Sequence, residues 1–376
     1  MMKIRILVVD DSVVVRRLVS ELLSSDSSLE VVGVAANGRI ALEKIPQVNP
    51  DVVTLDIDMP EMDGLQTLSL IRRYYPRLPV IILSTFSERG AAVTLDALVL
   101  GASDYVTKPA NAGSATIAMA QIRNDLVPKI KALCGRTEPN ERRFARAQEA
   151  ARWKSPIHAA AVRPLKPLEI VAMGVSTGGP NALNEILSTF PTDFPIPVVI
   201  VQHMPPVFTQ ILADRLSSCA YIRVREGVEG GELTPGSVWI APGNHHMEIA
   251  REGNAVRLKL NQDPPQNSCR PAVDVLFRSV ALTYGNTALA VVLTGMGQDG
   301  LRGCEAIAQA GGQILAQDEA SSIVWGMPGF VAKAGLADRV VPLSQIGGEI
   351  LRRVQANRPK SGGLGRERLS RVYLGS

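Results

Sequence analysis

Short apolar runs recur along this chain, each followed by a stretch with helical spacing, and that alternation confines it to parallel α/β architectures. Residues 4–9, 29–35, 52–55, 80–83 and 105–106 read as strands, with helical segments such as 13–23 and 65–74 between them. A helix over about residues 117–133 closes this first doubly wound unit. From Thr137 to Pro167 the pattern dissolves into a stretch carrying Arg142, Arg143, Arg146, Arg152 and Lys154 among prolines and alanines, which reads as a linker with a helical turn near 144–153. A second alternating series follows, with strands at 170–173, 198–201, 238–240, 288–293 and 313–315 and helices at 181–190, 273–283 and 301–310. Within it, residues 221–260 are rich in glycine and strand formers, which suggests an antiparallel insertion or edge.

A length of 376 residues with 46% hydrophobic and 20% charged residues suits two globular domains. No apolar run approaches the roughly 20 residues of a membrane helix. The first residues hold too short an apolar stretch for a signal peptide, so the expectation is a cytoplasmic protein without membrane insertion. Cys134, Cys219, Cys269 and Cys304 are scattered without a C-x-x-C pair, which argues for reduced thiols and against a zinc site. The net charge of +4 raises the question of nucleic acid. Seven basic residues and one acid lie between Arg352 and the end, however, so the excess sits in a glycine-containing tail that reads as disordered, and no helix-turn-helix candidate accompanies it.

Ligands of open parallel sheets bind beyond the carboxyl ends of the strands. Asp10 and Asp11 fall at the end of the first strand and Asp56 at the end of the third, so neighbouring strands would bring three carboxylates together. Such a cluster repels itself unless a cation intervenes, and all-oxygen ligation with open water positions suits Mg²⁺. A carboxylate held there can accept a phosphoryl group in line. Ser84 and Thr85 end the fourth strand and Lys108 the fifth, on the same rim, and Pro109 is a candidate cis position. With Leu55-Asp56-Ile57-Asp58-Met59-Pro60 and Gly101-Ala102-Ser103-Asp104-Tyr105-Val106-Thr107-Lys108-Pro109, the stretch from about Lys3 to Leu133 resembles the receiver domain of two-component response regulators. The resemblance implies a flavodoxin-like fold with a parallel five-stranded sheet, Asp56 as phosphoacceptor, Asp10, Asp11 and Asp56 as Mg²⁺ ligands, Ser84 and Lys108 as phosphoryl contacts, and a histidine kinase as donor.

Gly174-Val175-Ser176-Thr177-Gly178-Gly179-Pro180 follows an apolar strand and opens a helix, satisfying G-x-S-x-G, in which a serine projects from a tight strand-to-helix turn. A Gly-rich turn before a helix is equally a phosphate cradle. A P-loop would need Lys-Ser/Thr where Pro180-Asn181 stands, and a dinucleotide site favours an acid where the next strand ends in Gln202-His203. A serine hydroxyl needs a neighbouring base, and His203 is placed to be one. A third strand ends in Thr294-Gly295-Met296-Gly297-Gln298-Asp299-Gly300, whose Asp299 can orient an imidazole and whose backbone N–H groups can receive an oxyanion. The order Ser, His, Asp differs from that of α/β-hydrolases.

These motifs, with Gln202-His203-Met204-Pro205-Pro206 and Ala241-Pro242-Gly243-Asn244-His245-His246, resemble the catalytic domain of the CheB family of chemotaxis protein-glutamate methylesterases. That resemblance implies Ser176 as nucleophile, His203 as base then acid, Asp299 as orienting acid, and Met296 N–H as oxyanion donor with Thr177 beside it. It also implies methyl-accepting chemoreceptors as substrate, glutamine deamidation as a second activity, and no cofactor for ester hydrolysis. The organisation expected is a receiver at 1–135, a linker at 136–167, a second doubly wound, mostly parallel α/β catalytic domain with an antiparallel portion at 168–355, and a basic tail at 356–376. The Arg- and Ala-rich linker and the basic tail depart from the family pattern. His158 reads as exposed linker, and His245-His246 as shaping a loop beside the cleft.

Overall fold

A computed structural model describes residues 3–108, 115–135 and 167–356. Pro109, His158, the expected turn at 144–153 and the tail from 357 lie outside the described residues.

The first unit runs β1 (Ile4–Val9), α1 (Val13–Ser24), β2 (Leu29–Ala35), α2 (Gly38–Val48), β3 (Val52–Asp56), α3 (Gly64–Tyr74), β4 (Val80–Thr85), α4 (Glu88–Val99), β5 (Asp104–Lys108) and α5 (Ala115–Cys134). Its five strands are parallel in the order β2-β1-β3-β4-β5, so strand order reverses between β1 and β3, where Asp10 and Asp56 emerge. Because helices cover both faces, β3 is buried along its whole length, Thr54 and Asp56 included. Gly64 sits where a Cβ would lie 2.3 Å from the Asp56 carbonyl oxygen, so only glycine lets α3 start this close to β3.

The second unit runs β6 (Ile170–Val175), α6 (Gly179–Leu187), β7 (Val198–Gln202), α7 (Phe208–Cys219), β8 (Val224–Glu226), β9 (Val238–Ile240), β10 (His246–Glu252), β11 (Ala255–Asn261), α8 (Val273–Tyr284), β12 (Ala288–Val292), α9 (Leu301–Gln309), β13 (Gln313–Gln317), α10 (Met327–Lys333), β14 (Arg339–Val341) and α11 (Leu343–Gln355). Seven strands form a parallel sheet in the order β14-β13-β12-β6-β7-β9-β8. The antiparallel portion is narrower than the glycine content of 221–260 suggests. Among the described strands only β10 and β11 pair antiparallel, through a turn at Gly253 with φ +59°, with an isolated antiparallel bridge from Glu232 to Arg257, while β8 and β9 extend the parallel sheet. β6 is the middle strand of the seven and buried throughout, and order reverses between β6 and β12.

The two units share one apolar cluster. Leu95 and Leu98 of α4 and Tyr105 of β5 belong to the same buried set as Phe208 and Leu212 of α7. Tyr105 stacks on Phe208 with ring centroids 5.0 Å apart and planes 7° from parallel, a contact worth about 0.5–1.5 kcal/mol beyond its buried area.

Candidate active site and receiver pocket

Ser176 follows the last residue of β6. Its N–H donates to the Thr294 carbonyl at 3.0 Å and its own carbonyl accepts from Gly179 N–H at 2.8 Å, closing the strand-to-helix turn. Gly178 takes φ +79° within that turn, a left-handed conformation that a side chain would strain. Val175 pairs with Gln202 in the sheet, and His203 N–H donates to the Val175 carbonyl at 3.1 Å, so Ser176 and His203 leave adjacent strand ends at the same level. Gln202 reinforces the register, donating through Nε2 to the carbonyls of Ser176 and His203 at 3.0 and 3.2 Å. Among the described residues the Ser176 hydroxyl has no hydrogen bond to His203; the two are neighbours without the direct contact.

Asp299, beyond β12 on the other side of β6, closes on the imidazole from Oδ2 to Nε2 at 2.8 Å. It is 2% exposed and also accepts from Val273 N–H at 2.6 Å, Asp274 N–H at 3.1 Å, Gly300 N–H at 3.0 Å and Asn267 Nδ2 at 2.9 Å. The first two donors are the amino end of α8, where the helix dipole favours an anion. Burial works against ionising either partner. Even so, His203 and the backbone donors hold Asp299 below the usual carboxylate range, and the hydrogen bonds of Asp299 and Cys269 hold His203 up to about 10.

Sequence reasoning missed three residues here. Asn267 bridges Asp299 to Asp274, which in turn accepts from Gly300 and Gly303 N–H at 3.0 and 2.7 Å at the start of α9. Cys269 places Sγ 3.6 Å from His203 Nδ1. All three lie in or just after an irregular loop in which Asn267 and Ser268 take φ +51° and +64°, and no periodic signal points to such a segment. His246 is fully buried, with Nε2 at 3.2 Å from the Pro264 carbonyl and Nδ1 accepting from Ala272 N–H at 3.2 Å, so it braces this loop. Arg270 does the same from outside, donating to Asn244 Oδ1 and to the carbonyls of Gln262 and Asp263.

Met296 lies in the turn after β12, half-buried, and its N–H makes no hydrogen bond among the described residues. It borders a cavity of about 530 Å³ lined also by Trp325, Lys333 and, from α5, Ala132. Thr177 is turned elsewhere. Its hydroxyl donates to Asp104 Oδ2 of the first unit at 2.6 Å, with both residues 5% exposed. The same face carries Asn181 Nδ2 donating to the Leu98 carbonyl at 2.7 Å and an Arg215–Asp96 ion pair at 2.8 Å.

At the other pocket, Lys108 Nζ sits 2.8 Å from both Asp10 and Asp56. Asp10 and Asp56 are buried and Asp11 is exposed, with carboxylate oxygens of all three within 4.8 Å of one another. Burial pushes the Asp56 carboxyl up, while Lys108 opposes the shift. Ser84 points away from the carboxylates: its hydroxyl accepts from Thr94 Oγ1 at 2.5 Å and donates to the Gly90 carbonyl at 3.2 Å, both on α4.

Residues 171–350 match the CheB methylesterase family and residues 6–119 the response regulator receiver domain. A protein-glutamate methylesterase/protein-glutamine glutaminase of Trichodesmium erythraeum is 55% identical over 355 residues, covering 94% of this chain and all of that one. The chain belongs to the CheB methylesterase family. Its counterpart of the same name in a Nocardioides species is 51% identical, over 95% of this chain and 97% of that protein. The crystal structure of the Thermotoga maritima CheB methylesterase catalytic domain is 40% identical, covers 49% of this chain and 98% of that one, and superposes with a TM-score of 0.49. The methylesterase match contains Ser176, His203 and Asp299, and the receiver match contains Asp10, Asp11, Asp56, Ser84 and Lys108. Among the described residues, no helix is long and apolar enough to cross a membrane.

Proposed function

We propose that this chain is a phosphorylation-activated protein-glutamate methylesterase that hydrolyses γ-glutamyl methyl esters on chemoreceptors to glutamate and methanol, working in the cytoplasm. Glutamine deamidation would proceed through the same acyl-enzyme. The observation that carries the reading is the convergence of Ser176, His203 and Asp299 at three neighbouring strand ends, with His203 and Asp299 2.8 Å apart.

In this reading the Ser176 hydroxyl attacks the ester carbonyl while His203 Nδ1, the nitrogen not bound to Asp299, accepts its proton. Met296 N–H faces the negative charge that develops on the carbonyl oxygen. His203 returns the proton to the departing methoxide, which leaves as methanol. Water then attacks the acyl-Ser176, giving its proton to the same nitrogen, and Ser176 leaves with that proton as glutamate is released. Asp299 keeps the ring oriented and offsets its charge while it is protonated.

Regulation follows from what the receiver touches. Asp104 holds Thr177, next to the nucleophile, and α4 lies on α6 and α7, so the unphosphorylated receiver masks the cleft. Two buried carboxylates with a third beside them are a donor set that fits Mg²⁺, which Asp10, Asp11 and Asp56 would hold. When bound, that ion supplies charge neutralisation for phosphoryl transfer from a histidine kinase to Asp56. A phosphoryl group on Asp56 draws Lys108 and the Ser84 hydroxyl toward itself, and Ser84 then releases Thr94 and Gly90 on the docking helix α4.

The test is methanol release from methylated receptor with and without a small-molecule phosphodonor. Activity should rise with the phosphodonor in the native chain and be absent from Ser176→Ala, which should still phosphorylate at Asp56. Full turnover by Ser176→Ala rejects the assignment.

A further inference from the structure

The sequence points to four reduced thiols, and burial makes two of them inert. It pushes the Cys134 thiol up to about 12 and the Cys304 thiol higher still, and thiols kept protonated at neutral pH are poor nucleophiles. Cys219 is exposed, at the end of α7.

Cys269 stands apart because it is one end of a series of three groups. Its Sγ lies 3.6 Å from His203 Nδ1, and the Nε2 of that ring lies 2.8 Å from Asp299 Oδ2, so thiol, imidazole and carboxylate are in line. Among the described residues Cys269 is the hydrogen-bond partner of Nδ1, the ring nitrogen that Asp299 does not engage. Cys269 is half-buried, whereas Cys134 and Cys304 are buried. The position of Cys269 is set from both sides. Gln266 and Cys269 exchange backbone hydrogen bonds at 3.1 and 2.8 Å, and the Asn267 amide ties the same loop to Asp274 and Asp299. An imidazole within reach of a thiol can take up its proton as the sulfur attacks an electrophile.

We propose that Cys269 is a modification site for hydroperoxides and soft carbon electrophiles, and that its modification silences the esterase by filling the Nδ1 side of His203. The second half rests on His203 acting as the base for Ser176. With a hydroperoxide, the thiolate attacks the terminal oxygen. An S–O bond forms, the O–O bond breaks, sulfur gives up two electrons to the peroxide, and the alkoxide or hydroxide leaves with the proton of the His203 imidazolium. The product is a sulfenic acid, which thiols reduce. With iodoacetamide, an S–C bond forms and iodide leaves, and that adduct is permanent.

The experiment uses the full-length chain, with iodoacetamide and hydrogen peroxide as probes and peptide mass mapping as readout. Iodoacetamide at neutral pH should label Cys269 about tenfold faster than Cys219 in the same molecule, and His203→Gln should abolish that advantage. Equal labelling of the two cysteines, or an advantage that survives His203→Gln, overturns the first half whether or not the chain hydrolyses esters. Peroxide should then remove methanol release from the native chain and from Cys219→Ser, with recovery in dithiothreitol. Cys269→Ser should keep the fraction of its own untreated activity. Loss of activity in Cys269→Ser at the native rate overturns the second half.

Discussion

Five donors converge on the carboxylate of Asp299: the His203 ring, the Asn267 amide and the N–H groups of Val273, Asp274 and Gly300. A carboxylate offers about four lone-pair directions, so this one is saturated and remains an anion even though it is buried. The histidine gains most from that anion. A base must be neutral to act, so activity rises as pH climbs through the His203 pKa. With that pKa raised, the acid limb of the rate profile lies above the value of about 6.5 usual for histidine. Replacing the anion by an amide should therefore do two things at once. Asp299→Asn lowers kcat by about 10⁴-fold and moves the acid limb to lower pH, measured by methanol release from pH 5 to 10. An unchanged limb contradicts the pairing. The placement of Ser176, His203 and Asp299 past neighbouring strand ends was legible in the sequence because each follows an apolar strand. Asn267 and Cys269 were not, because nothing in a short polar loop announces which side chains it turns inward.

Between elements, α8 and α9 stabilise each other's amino ends. Asp299, which precedes α9, receives the first N–H groups of α8, and Asp274, in the first turn of α8, receives those of Gly300 and Gly303. The periodicity that finds both helices is silent about this exchange, which depends on their packing side by side. Most helix and strand positions were legible because apolar runs such as those of β6 and β7 have a length that suits a buried strand. The short strands β8 and β14 were missed or misjudged, since charged residues interrupt them, whereas the equally short but wholly apolar β9 was found. On the last helix, Glu349 is 7% exposed and accepts from Arg352, Arg353 and Arg339, and the bond to Arg352 does most to hold its carboxyl down to about 2. A depressed carboxyl stabilises the fold above its unfolded value of about 4.3, and that share is lost as pH falls toward 2. Glu349→Gln should lower Tm at pH 7 by roughly 2–8 °C and by less at pH 3. A shift that does not shrink in acid contradicts the ion-pair explanation.

For the whole molecule, the decisive feature is that the receiver grips the methylesterase domain at Thr177, one residue from the proposed nucleophile. The sequence foretells two domains but not this contact. The apolar face of α4 looks the same whether it serves its own sheet or a neighbour, and Asp104 reads as one more residue at a strand end. Asp104→Ala removes a buried hydrogen bond from the interface between the two units, a loss of about 1–3 kcal/mol, while leaving Ser176, His203 and Asp299 in place. It should raise unphosphorylated activity by about 5–150-fold and shrink stimulation by a phosphodonor accordingly. Unchanged basal activity with full stimulation would mean that this contact does not mask the cleft.

The account stands on Ser176 carrying the acyl group. Rapid-quench peptide mapping of the native chain, mixed with a methylated receptor segment and a phosphodonor, tests that most directly. It should find the glutamyl adduct on the peptide containing Ser176 within the first turnover, and methanol released in step with it. Methanol release with no adduct there, or with the adduct on Cys269, would contradict it.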